Sequence, residues 1–273
     1  FAVGTAGSNP SNFANADGVM YFAASDGVNG LELWKSDGTG SGTTLVRDIN
    51  LGANGSYPGS FVGLNGLVYF YATDAANGSE LWQTDGTSSG TQLVKDISPG
   101  TSSSNISSIK SFGNKIIFVA MTPQTGPELW VSDGSAVATQ LLVDLNPGSA
   151  GSNPSIYLQF GDKYFFTANN GSTGQEIWST DGTAAGTSLL KDINPNLAGF
   201  GPGGLANVLG RILFYADDGI VGRELWTSDG TQAGTHLLKN LQNGTRSSYA
   251  GNSLNVNGIV YFTADNRIDG SEL

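Results

Sequence analysis

A glutamate and a tryptophan return at one fixed interval along this chain, and that register decides most of what it can fold into. The glutamates stand at Glu32, Glu80, Glu128, Glu176, Glu224 and Glu272, each 48 residues after the last. The tryptophans follow at Trp34, Trp82, Trp130, Trp178 and Trp226, with no insertion or deletion between copies. A repeat of this length is one supersecondary unit that cannot bury its apolar surface alone and must stack on its neighbours.

Within one period the pattern predicts four short strands, at residues 12–16, 19–24, 31–35 and 43–49. The apolar residues gather in runs such as Val19-Met20-Tyr21-Phe22 and Ile116-Ile117-Phe118-Val119, rich in β-branched and aromatic residues and bounded by Gly, Asn or Asp. No stretch shows a helical period. Four strands in roughly 40–50 residues match a propeller blade, whereas β-helix coils are shorter and helical repeats need a 3.6 period. The expected fold class is therefore all-β, a β-propeller of four-stranded blades forming one domain over residues 1–273. Phe1 falls in the slot of Ile49, and Leu273 falls just before a tryptophan slot. Six blades are expected, the last incomplete, in a chain that is part of a longer protein.

The recurring residues read as construction. Asp37-Gly38, Asp85-Gly86, Asp133-Gly134, Asp181-Gly182 and Asp229-Gly230 each predict a tight turn, since Asp bonds its own backbone two residues on and Gly takes positive φ. A large indole suits the gap between neighbouring blades. A part-buried glutamate needs a partner, and the basic residues Arg47, Lys95, Lys191 and Lys239 recur on the adjacent fourth strand, so an ion pair is expected. The recurrent glycines at Gly30, Gly78, Gly126, Gly174, Gly222 and Gly270 predict a glycine-only backbone angle entering the third strand.

Residues 80–100, ELWQTDGTSSGTQLVKDISPG, resemble the bacterial ELWxxDGT-repeat proteins, whose hallmark is ELW, two residues, DGT, then GT and a VKDINPG-like tail. The resemblance covers essentially the whole chain. It implies a large protein of secreted or cell-surface setting, and it carries over no reaction and no catalytic residue.

Composition removes whole classes of chemistry. There are no cysteines, and His236 is the single histidine, which leaves no thiolate chemistry and no histidine metal cluster. With 12 Lys+Arg against 23 Asp+Glu, the cationic stripe that nucleic acid requires is absent. No apolar run approaches the roughly 20 residues of a membrane-spanning helix. Asp- and Asn-rich loops supply oxygen ligands for calcium, yet no copy carries the spaced pattern of a calcium loop, so no cofactor is expected.

Function is expected on the loops between second and third strands, which vary between copies while the DGT turns do not. The candidates there are Asp26, Asp74, Asn170, Asp218 and Arg267. The expected function is a non-catalytic, secreted or cell-surface module that binds glycan or protein, as in adhesion. The alternatives are a structural unit of an extracellular array or filament, which implies assembly with other copies, and a glycan-active enzyme. The enzyme would need unique carboxylates converging on the channel, and Asp17, Asp162 and Asp217 are those that depart from the repeat.

Overall fold

Each period folds as one antiparallel sheet in which sequence neighbours pair. The computed structural model describes residues 7–195, 201–241, 247–249, 251–257, 259–265 and 270–272. Among them there is no helix. The first sheet comprises β1 (Ser11–Ala16), β2 (Val19–Ser25), β3 (Leu31–Ser36) and β4 (Thr44–Arg47). The second comprises β5 (Gly59–Leu64), β6 (Leu67–Asp74), β7 (Gly78–Thr84) and β8 (Gln92–Lys95). The third comprises β9 (Ser107–Phe112), β10 (Lys115–Thr122), β11 (Gly126–Ser132) and β12 (Gln140–Val143). The fourth follows with β13 (Ser155–Phe160), β14 (Lys163–Asn169), β15 (Gln175–Thr180) and β16 (Ser188–Lys191). The fifth has β17 (Gly203–Val208), β18 (Arg211–Asp217), β19 (Arg223–Ser228) and β20 (His236–Lys239). A three-stranded sheet of β21 (Gly251–Val256), β22 (Ile259–Asp265) and β23 (Ser271–Glu272) ends the chain. Four-stranded meanders of this kind are what propeller blades are made of.

The chain groups into two compact units, residues 1–142 and 143–273. In the first, β1 lies against β5 and β5 against β9, so successive sheets meet along their first strands. The tryptophans fill the space between sheets as expected. Trp82 joins Phe70 and Val68 of its own sheet to Tyr21, Leu33 and Val46 of the sheet before. Trp130 does the same with Tyr69, Leu81 and Val94. Both faces of the third strand are thereby covered: Glu32 and Leu33 are fully buried and Trp34 is 7 % exposed.

The second unit repeats the arrangement, with β13 against β17 and β17 against β21. Trp226 packs there with Phe165, Ile177 and Leu190. Lys191 Nζ stands 5.9 Å from the centre of the Trp226 ring, adding a cation–π contact to the apolar one.

First strands carry a feature that the sequence did not announce. Asn12, Ser60 and Ser108 have φ of 55°, 54° and 55°, and the pairing of β1, β5 and β9 to their second strands shifts register at these points. Each is a β-bulge, which bends the strand and adds twist where sheets converge.

The glycine entering the third strand serves two needs at once. Gly78 has φ 70°, and a Cβ there would stand 2.7 Å from Ser102 O and 2.9 Å from Thr101 O. Left-handed φ alone costs an L-residue about 1–2 kcal/mol, and forcing a group into a packed backbone adds about 1–3 kcal/mol. Gly66, in the β5–β6 turn, has φ 75° with no atom near its Cβ position. Gly78→Ala should therefore lower unfolding free energy in urea by about 2–5 kcal/mol, and Gly66→Ala by about 1–2 kcal/mol. Equal costs would remove close backbone approach as the reason for the recurrent glycine.

Candidate functional site

Glu32, Glu80, Glu128, Glu176 and Glu224 are buried and spent on the chain itself, whereas Glu272 is exposed. Glu32 Oε2 accepts Ile49 N–H at 3.0 Å and Ser56 Oγ–H at 2.5 Å, while Oε1 accepts Ser56 N–H at 2.8 Å and Asn50 N–H at 3.3 Å. Glu80 repeats this with Ile97 N–H at 2.9 Å, Ser104 N–H at 3.0 Å and Ser98 N–H at 3.4 Å. Glu224 receives Leu241 N–H at 2.9 Å and Ser248 N–H at 3.1 Å. Every donor lies in the linker that leaves the fourth strand for the next sheet. Burial pushes the carboxyls of Glu32 and Glu80 up, against the hydrogen bonds that pull them down.

Among the described residues, Arg47, Lys95 and Lys191 turn to backbone carbonyls in place of the expected ion pair. Arg47 donates to the carbonyl of Thr91 in the next sheet, Lys95 Nζ to Thr139 O at 2.6 Å and Lys191 Nζ to Thr235 O at 2.7 Å. A backbone cradle brings several oriented donors without immobilising a long side chain, so it satisfies the buried carboxylate better than one cation. The basic residues then tie one sheet to the next through carbonyl oxygens. Backbone donors leave no trace in a sequence, but the serine does: it recurs at Ser56, Ser104, Ser152 and Ser248.

The fourth copy breaks that pattern, with Phe200 in the serine slot; residues 196–200 lie outside the described ones. Glu176 accepts Asn194 N–H at 3.4 Å, and its Oε2 is buried without a hydrogen-bond partner. Burial, helped by repulsion from nearby Asp192, outweighs the amides of Asn194 and Ile193 and pushes its carboxyl up to about 7.

The DGT turns form as predicted. Asp37 Oδ1 accepts Thr39 N–H at 2.9 Å and Thr39 Oγ1–H at 2.7 Å, and Gly38 has φ 91°. Asp85, Asp181 and Asp229 do the same with Thr87, Thr183 and Thr231, and Asp133 accepts Ser135 N–H. The Thr hydroxyl, then its amide, hold Asp37, Asp85, Asp181 and Asp229 below the usual carboxylate range; for Asp133 the Ser135 amide comes first. Beneath each turn a hydroxyl pair closes the fourth strand, such as Thr84 with Thr91 at 2.7 Å.

On the opposite loops, the sequence candidates shape their own turns. Asp26 Oδ1 accepts Val28 and Asn29 N–H, both at 2.8 Å, and the Asn29 amide comes first in lowering its carboxyl. Asp74 serves Ala76 and Asn77, Asn170 serves Ser172 and Thr173, and Asp218 serves Ile220 and Val221. Arg267 lies outside the described residues. Of the carboxylates that depart from the repeat, Asp17 has φ 50° in the β1–β2 turn, Asp162 is exposed in the β13–β14 turn, and Asp217 Oδ1 accepts Gly219 N–H at 2.8 Å. Asp162 and Asp217 stand at opposite ends of their sheets, so they form no acid/base pair. Among the described residues no group of three or more His, Asp or Glu could hold a metal.

A groove of about 470 Å³ flanks the first sheet, lined by Pro10, Phe13, Met20, Phe22 and Asp37, with Phe13 and Phe22 stacked at 5.4 Å. Its hydroxyls are committed to the turn, Ser36 Oγ lying 2.7 Å from Thr43 Oγ1. The groove offers apolar surface and no activated nucleophile.

No known protein-family profile matches the chain, and no curated protein matches it. Solved structures share its fold. The structure from a study of two prolyl endopeptidases has a TM-score of 0.55 at 11 % identity over 93 % of this chain and 39 % of its own. Oligopeptidase B from Leishmania major gives 0.51 and 11 %, over 84 % and 32 %. A puromycin hydrolase gives 0.51 and 14 %, over 93 % and 42 %. The chain thus spans about two-fifths or less of the peptidases whose fold it shares. These likenesses correct the expectation of a non-catalytic glycan- or protein-binding adhesion module, and of an array unit in its place. These three structures are of enzymes, so the fold is no mark of a binding-only or structural protein.

The raised carboxyl of Glu176 has a signed consequence. Its pKa is about 7 in the folded chain against 4.5 ordinarily, so the contribution it makes to stability is full below 4.5 and lost as pH rises through 7. Glu176→Gln should match the parent at pH 4.5 and exceed it above pH 7 by about 1–3 kcal/mol in urea unfolding. An advantage that did not grow with pH would contradict the unpartnered oxygen.

Proposed function

We propose that this chain is the propeller-type accessory part of a larger peptide-processing enzyme, with its sheets as blades of a rigid scaffold and the reacting groups supplied by another segment. One observation carries the reading most: every repeated carboxylate with a resolved partner is spent on blade construction, in a fold that makes up a minor share of several peptidases. The scaffold's task is to admit and position peptide through the loops between second and third strands, where copies differ. The ELWxxDGT-like repeat supports a secreted or cell-surface setting and a long polypeptide.

The test compares this chain with the polypeptide encoded by its full gene on a panel of chromogenic peptide amides that includes prolyl substrates. The full polypeptide should cleave, this chain alone should not, and replacing the 170–173 loop by Gly-Ser should change KM at least about threefold with kcat held, as for uniform binding. A full polypeptide inactive across the panel, or turnover by this chain alone, would overturn the proposal.

A further inference from the structure

The slot that opens the third strand holds Leu31, Ser79, Pro127, Gln175 and Ser271 in five copies and Arg223 in the remaining one. This lone charge sits where the variable loop of the fifth sheet ends. Its Cζ lies 5.1 Å from the centre of the Tyr215 ring, and Tyr215 is 5 % exposed. Gly203 flanks it, its Cβ position lying 3.5 Å from Nη2.

Among the described residues no acceptor bonds the Arg223 guanidinium, and its Nε is buried without a partner. Two acids that flank its loop direct their Oδ1 atoms to backbone amides. Asp217, opposite Arg223 in the β18–β19 ladder, turns its Oδ1 to Gly219 N–H at 2.8 Å. Asp218 Oδ1 takes Ile220 and Val221 N–H at 2.9 and 2.8 Å. A buried charged donor left unpaired is costly, and nothing in blade construction requires it, because the other copies place uncharged residues there.

Arginine is charged at every working pH, and its planar fork matches a carboxylate with two parallel N–H···O bonds. An aromatic ring beneath it fixes the plane and excludes water from one side. We propose that Arg223, held over Tyr215, is a carboxylate-binding subsite for the carboxylate of a peptide ligand. The carboxylate chemistry rests on Arg223 and its surroundings; the assignment to a peptide rests on the accessory reading above.

The chain has five arginines, so its Nε–H signals are few, and R223K identifies that of Arg223 by difference. The 15N-labelled chain is titrated with N-acetyl-dialanine, its C-terminal amide, glucuronate and inorganic phosphate. N-acetyl-dialanine should shift the Arg223 Nε–H saturably, the amide should bind at least about tenfold more weakly, and R223Q should lose at least about tenfold in affinity as read from backbone amide shifts. No shift with N-acetyl-dialanine, or an equal one with the amide, would overturn the subsite. Glucuronate or phosphate binding about tenfold tighter would overturn the assignment to peptide. The titration of the unsubstituted chain decides even if R223Q fails to fold. Carboxylate binding by a chain whose full polypeptide cleaves no peptide would leave the subsite standing and remove the accessory reading.

Discussion

A buried carboxylate satisfied by backbone amides sets the junction between successive sheets, and the remaining features of the repeat arrange themselves around it. Glu32 gathers the amides of Ile49, Asn50 and Ser56, and the carbonyl of Ser56 accepts Thr73 N–H of the next sheet at 2.8 Å. One side chain thereby fixes where a sheet ends, how the linker turns and where the following sheet begins. The alanine opposite each of the first five glutamates, such as Ala24 opposite Glu32, is buried and keeps the second strand small at that point. Tryptophan then fills the volume between sheets, and the basic residue on the fourth strand adds a tie to a carbonyl of the next one.

Much of this was legible in the sequence because a repeat separates construction from accident. The 48-residue interval gave the sheets, their strand order and the DGT turns, since Asp-Gly has one common use between strands. The partner of the glutamate was misread for a physical reason. A side-chain cation is visible in a sequence and a cradle of amides is not, so Arg47 stood out where Ile49, Asn50 and Ser56 do the work. The bulges at Ser60 and Ser108 were hidden because serine gives no warning of positive φ, and asparagine, which tolerates it, stands at only one of the three positions, Asn12.

The loop candidates show the opposite error. Asp26, Asp74, Asn170 and Asp218 drew notice as polar residues on variable loops, yet each closes its own turn. Arg223 drew none, although it alone brings charge to its slot. In a repeat protein the informative residue is one that departs from its copies and also lacks a partner inside the fold. Asp17 and Asp162 meet the first condition, Asp217 shares its slot with Asp265, and Arg223 departs from its copies with a buried Nε that no described acceptor bonds.

Amide hydrogen exchange on Glu80→Ala tests the central claim most directly. If the buried carboxylate holds the linker, the amides of Ile97 and Ser98 lose protection by about tenfold or more, while those of the β6–β7 ladder, such as Phe70 and Trp82, keep theirs. Unchanged protection at Ile97 and Ser98 would contradict it, and the junction between sheets would then rest on tryptophan packing and the ties to backbone carbonyls.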